Sequence, residues 1–418
     1  MKKILWLCNV KFVEEKTKVT GGWLQPLAEL LQASGQVSIF NVTKGNVNGI
    51  QHDNYKGIEQ WVIPDFKTSG YGQIPSQEFC KALSEIENKV NPDLVHIWGT
   101  ENVWVSAYAQ GAIKTKAFID IQGILSSCYY YYYGGMTFKD ILRSIHLKEI
   151  LMPWRTLFHK KEVFKQRGKI ETECLKKFKY ISYQSEWVKN QLSFINPTAT
   201  YLSTRILLRD SFYTASPWTY KDSGNSPVIF TTASGAIPYK GIHILFRSIR
   251  LLKDIYPDIQ LRVAGNMLIG NRLLDGYSIY LKKQIKSLGI ENNVTCLGPI
   301  DETQIVKELQ NANVCVIPSF VETYCLAFAE SMIIGVPTIA SFTGAMPELG
   351  KHGEECLFYN PIDFQTCAHY IDLLIKDKEL AESLSENGRA KRLIENKKET
   401  VLQTQLDNYM KILENKNV

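Results

Sequence analysis

Residues 318–361 read PSFVETYCLAFAESMIIGVPTIASFTGAMPELGKHGEECLFYNP. The run just before and into them, NVCVIPS (313–319), is short and apolar and reads as a buried strand, so Glu322 falls on the loop at that strand's carboxyl end. A helix is predicted to begin near Cys325, to carry Glu330 in its second turn and to stop at Gly335, with Pro337 just beyond it. VPTIASF (336–342) then opens another strand. A strand, loop, helix and strand in so few residues make a βα unit, which implies parallel pairing. Glu330 lies beside Ala327, Phe328 and Ala329, where a carboxylate is costly unless something meets it. A ribose diol, with two hydroxyl donors, would suit it; an acid favoured by the helix dipole is the plain alternative.

The same alternation extends outward in both directions. ILWLCNV (4–10), VSIFNV (37–42), DLVHIWG (93–99), KAFIDIQG (116–123) and KYISYQS (179–185) are apolar runs separated by helical stretches. After the polar, turn-rich segment 216–227 the pattern restarts with VIFTTASG (228–235), a helix over 241–254, IQLRVAG (259–265) and NVTCLGPI (293–300). Two doubly wound α/β domains follow, with residues 1–210 forming the first and 211–393 the second. Residues 394–418 read as a terminal helix packing back on the first domain. In open α/β sheets ligands bind at the carboxyl ends of the strands, so the chemistry is expected on post-strand loops facing a cleft between the domains.

Length and composition agree with this division. The chain has 418 residues, 45% hydrophobic and 22% charged, as in an ordinary globular protein of two domains. Its nine cysteines are scattered singly, which suits reduced thiols in the cytoplasm better than a disulfide framework. The apolar N-terminal stretch contains Asn9 and ends at Lys11 without a small-residue cleavage site, so it reads as a first buried strand rather than a signal peptide. No run approaches the ~18 apolar residues of a membrane span. The net charge is only +6, yet residues 139–179 hold 12 Lys/Arg against 5 Asp/Glu, with Trp154, Phe158 and Phe164 among them. Such a stretch suits either the anionic inner face of a membrane or a plain solvated helix face. Nucleic acid is not expected as a partner, since no recognised nucleic-acid module accompanies the charge.

The 318–361 segment resembles the donor site of glycosyltransferase family 4, retaining enzymes of the GT-B fold. The matching residues are Pro318-Ser319, Glu322, Glu330, Gly335-Val336-Pro337, Gly344, Pro347-Glu348 and Leu357-Phe358. The resemblance implies two Rossmann-like parallel-sheet domains facing across a cleft, with the donor bound by the second. It implies that Glu330 holds the ribose and Glu322 the donor hexose. The backbone through Thr323, Tyr324 and Cys325 would approach the sugar and the diphosphate, as free N–H groups at a helix start attract phosphate.

Lys240-Gly241 resembles the family's Lys-Gly, where the lysine neutralises the diphosphate; Gly235 and Pro299 join the donor-side residues by the same likeness. The family has an arginine five residues before that lysine, whereas position 235 here is glycine. The charge would then rest on Lys240 and backbone amides, or come from Arg205, Arg209 or Arg272. In the N-terminal half, Gly21-Gly22 follows the first strand and would let backbone approach a ligand, or simply make a turn. His96 in PDLVHIWG alternates with apolar residues and reads as structural. Gln122 stands where many relatives carry a histidine against the donor sugar; glutamine hydrogen-bonds but exchanges no proton near neutral pH. The tyrosines 129–133 lie where relatives recognise acceptors, and suit either sugar stacking or packing.

No Asp-x-Asp motif and no metal-ligand spacing occurs, so no metal and no cofactor is expected. The implied reaction is transfer of a sugar from a nucleoside diphosphate, UDP before GDP, to a saccharide or lipid-linked acceptor in glycan biosynthesis. Two other readings stay open: a sugar-nucleotide-binding protein that kept the fold without activity, and a GT-B epimerase or phosphorylase. A dinucleotide dehydrogenase is disfavoured, because no G-x-G-x-x-G follows the first strand.

Overall fold

The computed structural model describes residues 1–14, 22–267 and 275–414. They form two compact units, one of Met1–Ser127, Val163–Arg209 and the segment from Glu395 onward, the other of Cys128–Glu162 and Asp210–Ile394.

The first unit is built on β1 (Lys2–Leu7), β2 (Val37–Gly45), β3 (Gln51–Tyr55), β4 (Ile58–Pro64), β5 (Leu94–Trp98), β6 (Ala117–Asp120), β7 (Tyr180–Tyr183) and β8 (Thr200–Ser203). Their order in the sheet is β3-β4-β2-β1-β5-β6-β7-β8. All neighbours pair in parallel except β3 with β4, so the expected parallel sheet carries one antiparallel edge strand. Strands β1, from Ile4 onward, and β5 are buried and mostly apolar, as central parallel strands must be. Leu5, Leu7, Val95, Ile97 and Ile119 meet Trp104 and Leu175 in the core. His96, between Val95 and Ile97 on β5, is fully buried; its Nδ1 lies 2.7 Å from the Tyr409 hydroxyl, which also accepts from Trp6 Nε1 at 3.0 Å. Tyr409 belongs to the terminal helix Lys398–Glu414, which is therefore part of this unit. Burial holds the His96 imidazole well below its usual pKa, hence neutral.

The second unit carries β9 (Val228–Thr232), β10 (Gln260–Ala264), β11 (Val294–Gly298), β12 (Val314–Ile317), β13 (Thr338–Ser341) and β14 (Leu357–Tyr359). Their order is β11-β10-β9-β12-β13-β14, and all pairs are parallel. The order reverses between β9 and β12, which makes the loops after those two strands the topological switch point. Leu357-Phe358, the last residues of the matched motif, lie in the edge strand β14. The polar segment 216–227 is not a free linker: Trp218 is buried in this unit and its Nε1 donates to Ala312 O at 2.7 Å.

Residues 128–162 depart from the sequence-based division, which puts them in the first domain. Gly134 explains why they group with the second unit. Its φ is +55°, and a Cβ there would come within 2.2 Å of Pro238 O, so only glycine allows the two backbones this close.

Candidate functional site

Strand β12 ends at Ile317, and the helix Leu326–Ile334 begins after eight intervening residues. Between them the loop is fastened from three sides. Phe320 N donates to Tyr239 O at 2.7 Å, Thr343 Oγ1 donates to Ser319 O at 2.9 Å, and Ala345 N donates to Glu322 O at 2.9 Å. The last bond depends on Gly344 (φ +55°), where a Cβ would sit 2.3 Å from Glu322 O. The loop after β9 is seated just as closely: Gly241 (φ +72°) packs so that a Cβ would meet Pro318 O at 1.9 Å.

These contacts bring Lys240 and Glu322 together. Lys240 Nζ donates to Glu322 Oε1 at 2.5 Å, with side chains 19% and 15% exposed. Burial pulls the Lys240 pKa down, but the Glu322 charge and hydrogen bond outweigh it and hold the ammonium above its usual value. A charge-assisted pair with both ends reachable from solvent is a site where an incoming anion can take the cation and a hydroxyl can take the carboxylate.

Cys325 starts the helix in a left-handed conformation (φ 78°, ψ 81°), rare for a residue with a side chain. The Cys325 side chain makes no capping hydrogen bond, and the first-turn N–H groups of a helix carry partial positive charge. The Cys325 thiol is pushed well above its usual pKa by burial, with the Glu322 charge acting in the same direction, so it is neutral. Thr323 and Tyr324 are half-buried on the approach to this end. Glu330, in the second turn as read from the sequence, is buried at 7% exposure.

The remaining sequence-assigned residues are more dispersed. Gly235 lies on the loop after β9 with open space around it, a Cβ meeting only Ile237 at 3.9 Å. Pro299 is exposed just after β11. Gln122 and Gly22 belong to the first unit, Gln122 half-buried just past β6 and Gly22 half-buried in a turn. Gly21 and Arg272 lie outside the described residues. Arg205 donates through Nη1 to Glu395 O at 3.1 Å within the first unit. Among the described residues no group of three or more His, Cys, Asp or Glu is placed to hold a metal. No helix among them is long and apolar enough to cross a membrane. A separate pocket of about 470 Å³ lies at the ends of β13 and β14, lined by Phe342, His352, Phe358 and Tyr370 among others; Phe358 belongs to the matched motif, but none of the residues assigned to the donor lines it.

Sequence reasoning missed a second cluster, in the first unit. Glu101 follows β5, Asp120 ends β6, and Glu171 reaches in from the helix Leu157–Leu175. Asp120 accepts from Gln184 Nε2 at 2.6 Å, Ser182 Oγ at 2.7 Å and Thr204 Oγ1 at 3.4 Å. Glu171 accepts from the Thr100 hydroxyl and from Leu125 N and Ser126 N at 3.2 and 3.3 Å. Burial raises both acids to about 7, against the pull of these hydrogen bonds, and raises Glu101 as well. The three are scattered over 71 positions without a motif, so only folding reveals them.

Residues 221–391 match the family model described as glycosyl transferases group 1. The MMP alpha-(1->4)-mannosyltransferase of Mycolicibacterium hassiacum is 27% identical over 162 residues, 38% of this chain and 37% of that protein. The match thus spans little more than a third of that relative's length. Over the whole chain the likeness is one of fold. Sucrose-phosphate synthase from Thermosynechococcus elongatus superposes with a TM-score of 0.73 at 17% identity, covering 99% of this chain and all of that one. Anabaena HepE, in a structure with UDP-glucose, superposes with a TM-score of 0.70 at 17% identity, covering 99% and 100%. These are GT-B structures, and the two parallel-sheet units of this chain have that fold.

Proposed function

We propose, from the match of residues 221–391 to glycosyl transferases group 1, that the chain moves a hexose-type sugar from a nucleoside diphosphate to a saccharide or lipid-linked acceptor. The observation that carries this reading is the Lys240–Glu322 pair at the switch point between β9 and β12, beside the helix start at Cys325. On donor binding the diphosphate takes the Lys240 ammonium and the helix N–H groups, and Glu322 turns to hydroxyls of the hexose. Glu330 takes the ribose diol. As the bond from the anomeric carbon to the diphosphate oxygen breaks, negative charge grows on the leaving group. Fixed positive charge there lowers the barrier without a metal ion. The acceptor hydroxyl attacks from the same face and its proton passes to the leaving phosphate, which gives retention. UDP is the preferred carrier over GDP, supported by the UDP-glucose held by HepE, a protein of the same fold.

Gly235 and Gln122 support a second reading, a sugar-nucleotide-binding protein without transfer, because each replaces a group that relatives use. Thermal-shift titration with UDP- and GDP-sugars, followed by assay of slow donor hydrolysis, tests both. A donor that raises Tm and is hydrolysed supports the transferase. Stabilisation without hydrolysis supports the binding protein, and no stabilisation by any donor overturns both.

A further inference from the structure

Twenty large hydrophobic side chains are exposed among the described residues, and ten of them fall between Tyr130 and Phe158. Scattered exposed apolar residues need no explanation, but half the total within 29 consecutive positions does. Leu147 and Leu151 are 79% exposed, Phe138 and Ile150 66%, and Trp154 59%. They sit on the short helices Phe138–Arg143 and Leu147–Leu151 and the turn Pro153–Arg155.

The charges on this segment are sorted by sign. Lys139, Arg143 and Lys148 are exposed and Arg155 is half-exposed, whereas the two acids between 138 and 155 both turn inward and are buried. Asp140 caps its own helix, accepting from Thr137 N at 3.1 Å and Thr137 Oγ1 at 2.6 Å. Glu149 accepts from Gly276 N at 2.7 Å, and the backbones there are so close that a Cβ on Gly276 would sit 2.3 Å from Ser144 O. Lys160 adds an ion pair to Asp275 at 2.8 Å. The acids thus tie the segment to its own unit, and the outward face keeps only apolar and cationic groups.

We propose that the 138–155 surface docks on an anionic lipid bilayer, Leu147, Ile150, Leu151 and Trp154 entering the headgroup region while Lys139, Arg143 and Lys148 pair with lipid phosphates. Charge complementarity selects this occupant over a second copy of the chain: across a two-fold axis the cations would face one another with no outward acid between 138 and 155 to pair with. The site differs from the basic stretch 139–179 marked by composition, because it ends near Phe158 instead of following the long helix. It is also independent of the donor chemistry proposed above.

Co-sedimentation of the full chain with phosphatidylglycerol-rich and with pure phosphatidylcholine vesicles tests it. Binding is expected on the anionic vesicles only, weakening as salt rises. Each cation contributes about fivefold, so K139Q/R143Q/K148Q lowers affinity on the order of a hundredfold. L147E/L151E abolishes sedimentation while leaving Tm and donor affinity at wild-type values. Equal binding to both vesicle types, no binding to either, or variants that sediment like wild type would overturn the proposal. So would a dimer that L147E/L151E splits without any vesicle binding, which would assign the face to a second copy.

Discussion

Each unit gathers carboxylates near the carboxyl ends of its central strands, and the two gatherings differ in what faces the acid. In the second unit Glu322 meets the Lys240 ammonium at 2.5 Å and both stay within reach of solvent. In the first, Asp120 and Glu171 are buried among hydroxyls and amides, with no ammonium among the described residues in hydrogen-bond contact, and burial lifts both to about 7. The same doubly wound topology therefore builds one charged site, suited to an anion, and one set of acids close to neutral. Topology selects where polar groups collect, and the local partner selects their charge.

The largest expected effect breaks the charged site. Lys240→Ala and Glu330→Ala should each weaken nucleotide-sugar binding on the order of a hundredfold by isothermal titration, with Tm little changed, because a charge-assisted contact of this kind is worth ~3 kcal/mol. Near-wild-type affinity in both would remove the site from this loop. Next comes the backbone that sets it. Gly241→Ala should cost about 3 kcal/mol of stability, since a left-handed φ and a 1.9 Å approach to Pro318 O act together. Gly224→Ala, also left-handed but with nothing within 4 Å, should cost only about 1 kcal/mol in the same denaturant titration.

The acidic cluster supplies a pH test of the comparison. Asp120 and Glu171 have folded-state values raised above their unfolded ones, so the native state binds more protons between about pH 4 and 7. Their contribution to stability is greatest below that window and is lost as pH rises through it. The double variant D120N/E171Q should therefore fall in Tm less than wild type between pH 5 and pH 8; an unchanged difference would mean these acids are ionised in the fold. The smallest effect sharpens the charged site. Gly235 has room for a side chain, so Gly235→Arg should leave Tm alone and tighten donor binding up to about tenfold, read from the same calorimetric titration.

Much of the fold was legible. Nine of the ten apolar runs quoted above have their strand cores inside β1, β2, β5, β6, β7, β9, β10, β11 and β12, and the run at 336–342 contains β13. All but the half-buried edge strand β11 are largely buried parallel strands that declare themselves by composition. Strand β3, QHDNY, escaped because four of its five residues are exposed at the sheet edge and nothing apolar marks it. Strand β8 escaped because none of its four residues is buried, and β14 because three residues are too few for a pattern. In the site, Glu330 could be placed by helix signals alone, since Gly335 and Pro337 mark the end of its helix.

The sequence by itself determined the alternation of strands and helices, the turn glycines and the helix start at Cys325, because these follow from interactions among near neighbours. Only the tertiary structure decided that Lys240 would meet Glu322, 82 positions away, that residues 128–162 would join the second unit with Asp140 and Glu149 turned inward, and that Asp120 and Glu171 would stand near neutrality. Pairing and protonation depend on what burial removes and on which charge lies within a few ångströms, and a folded chain sets both through residues far apart along it.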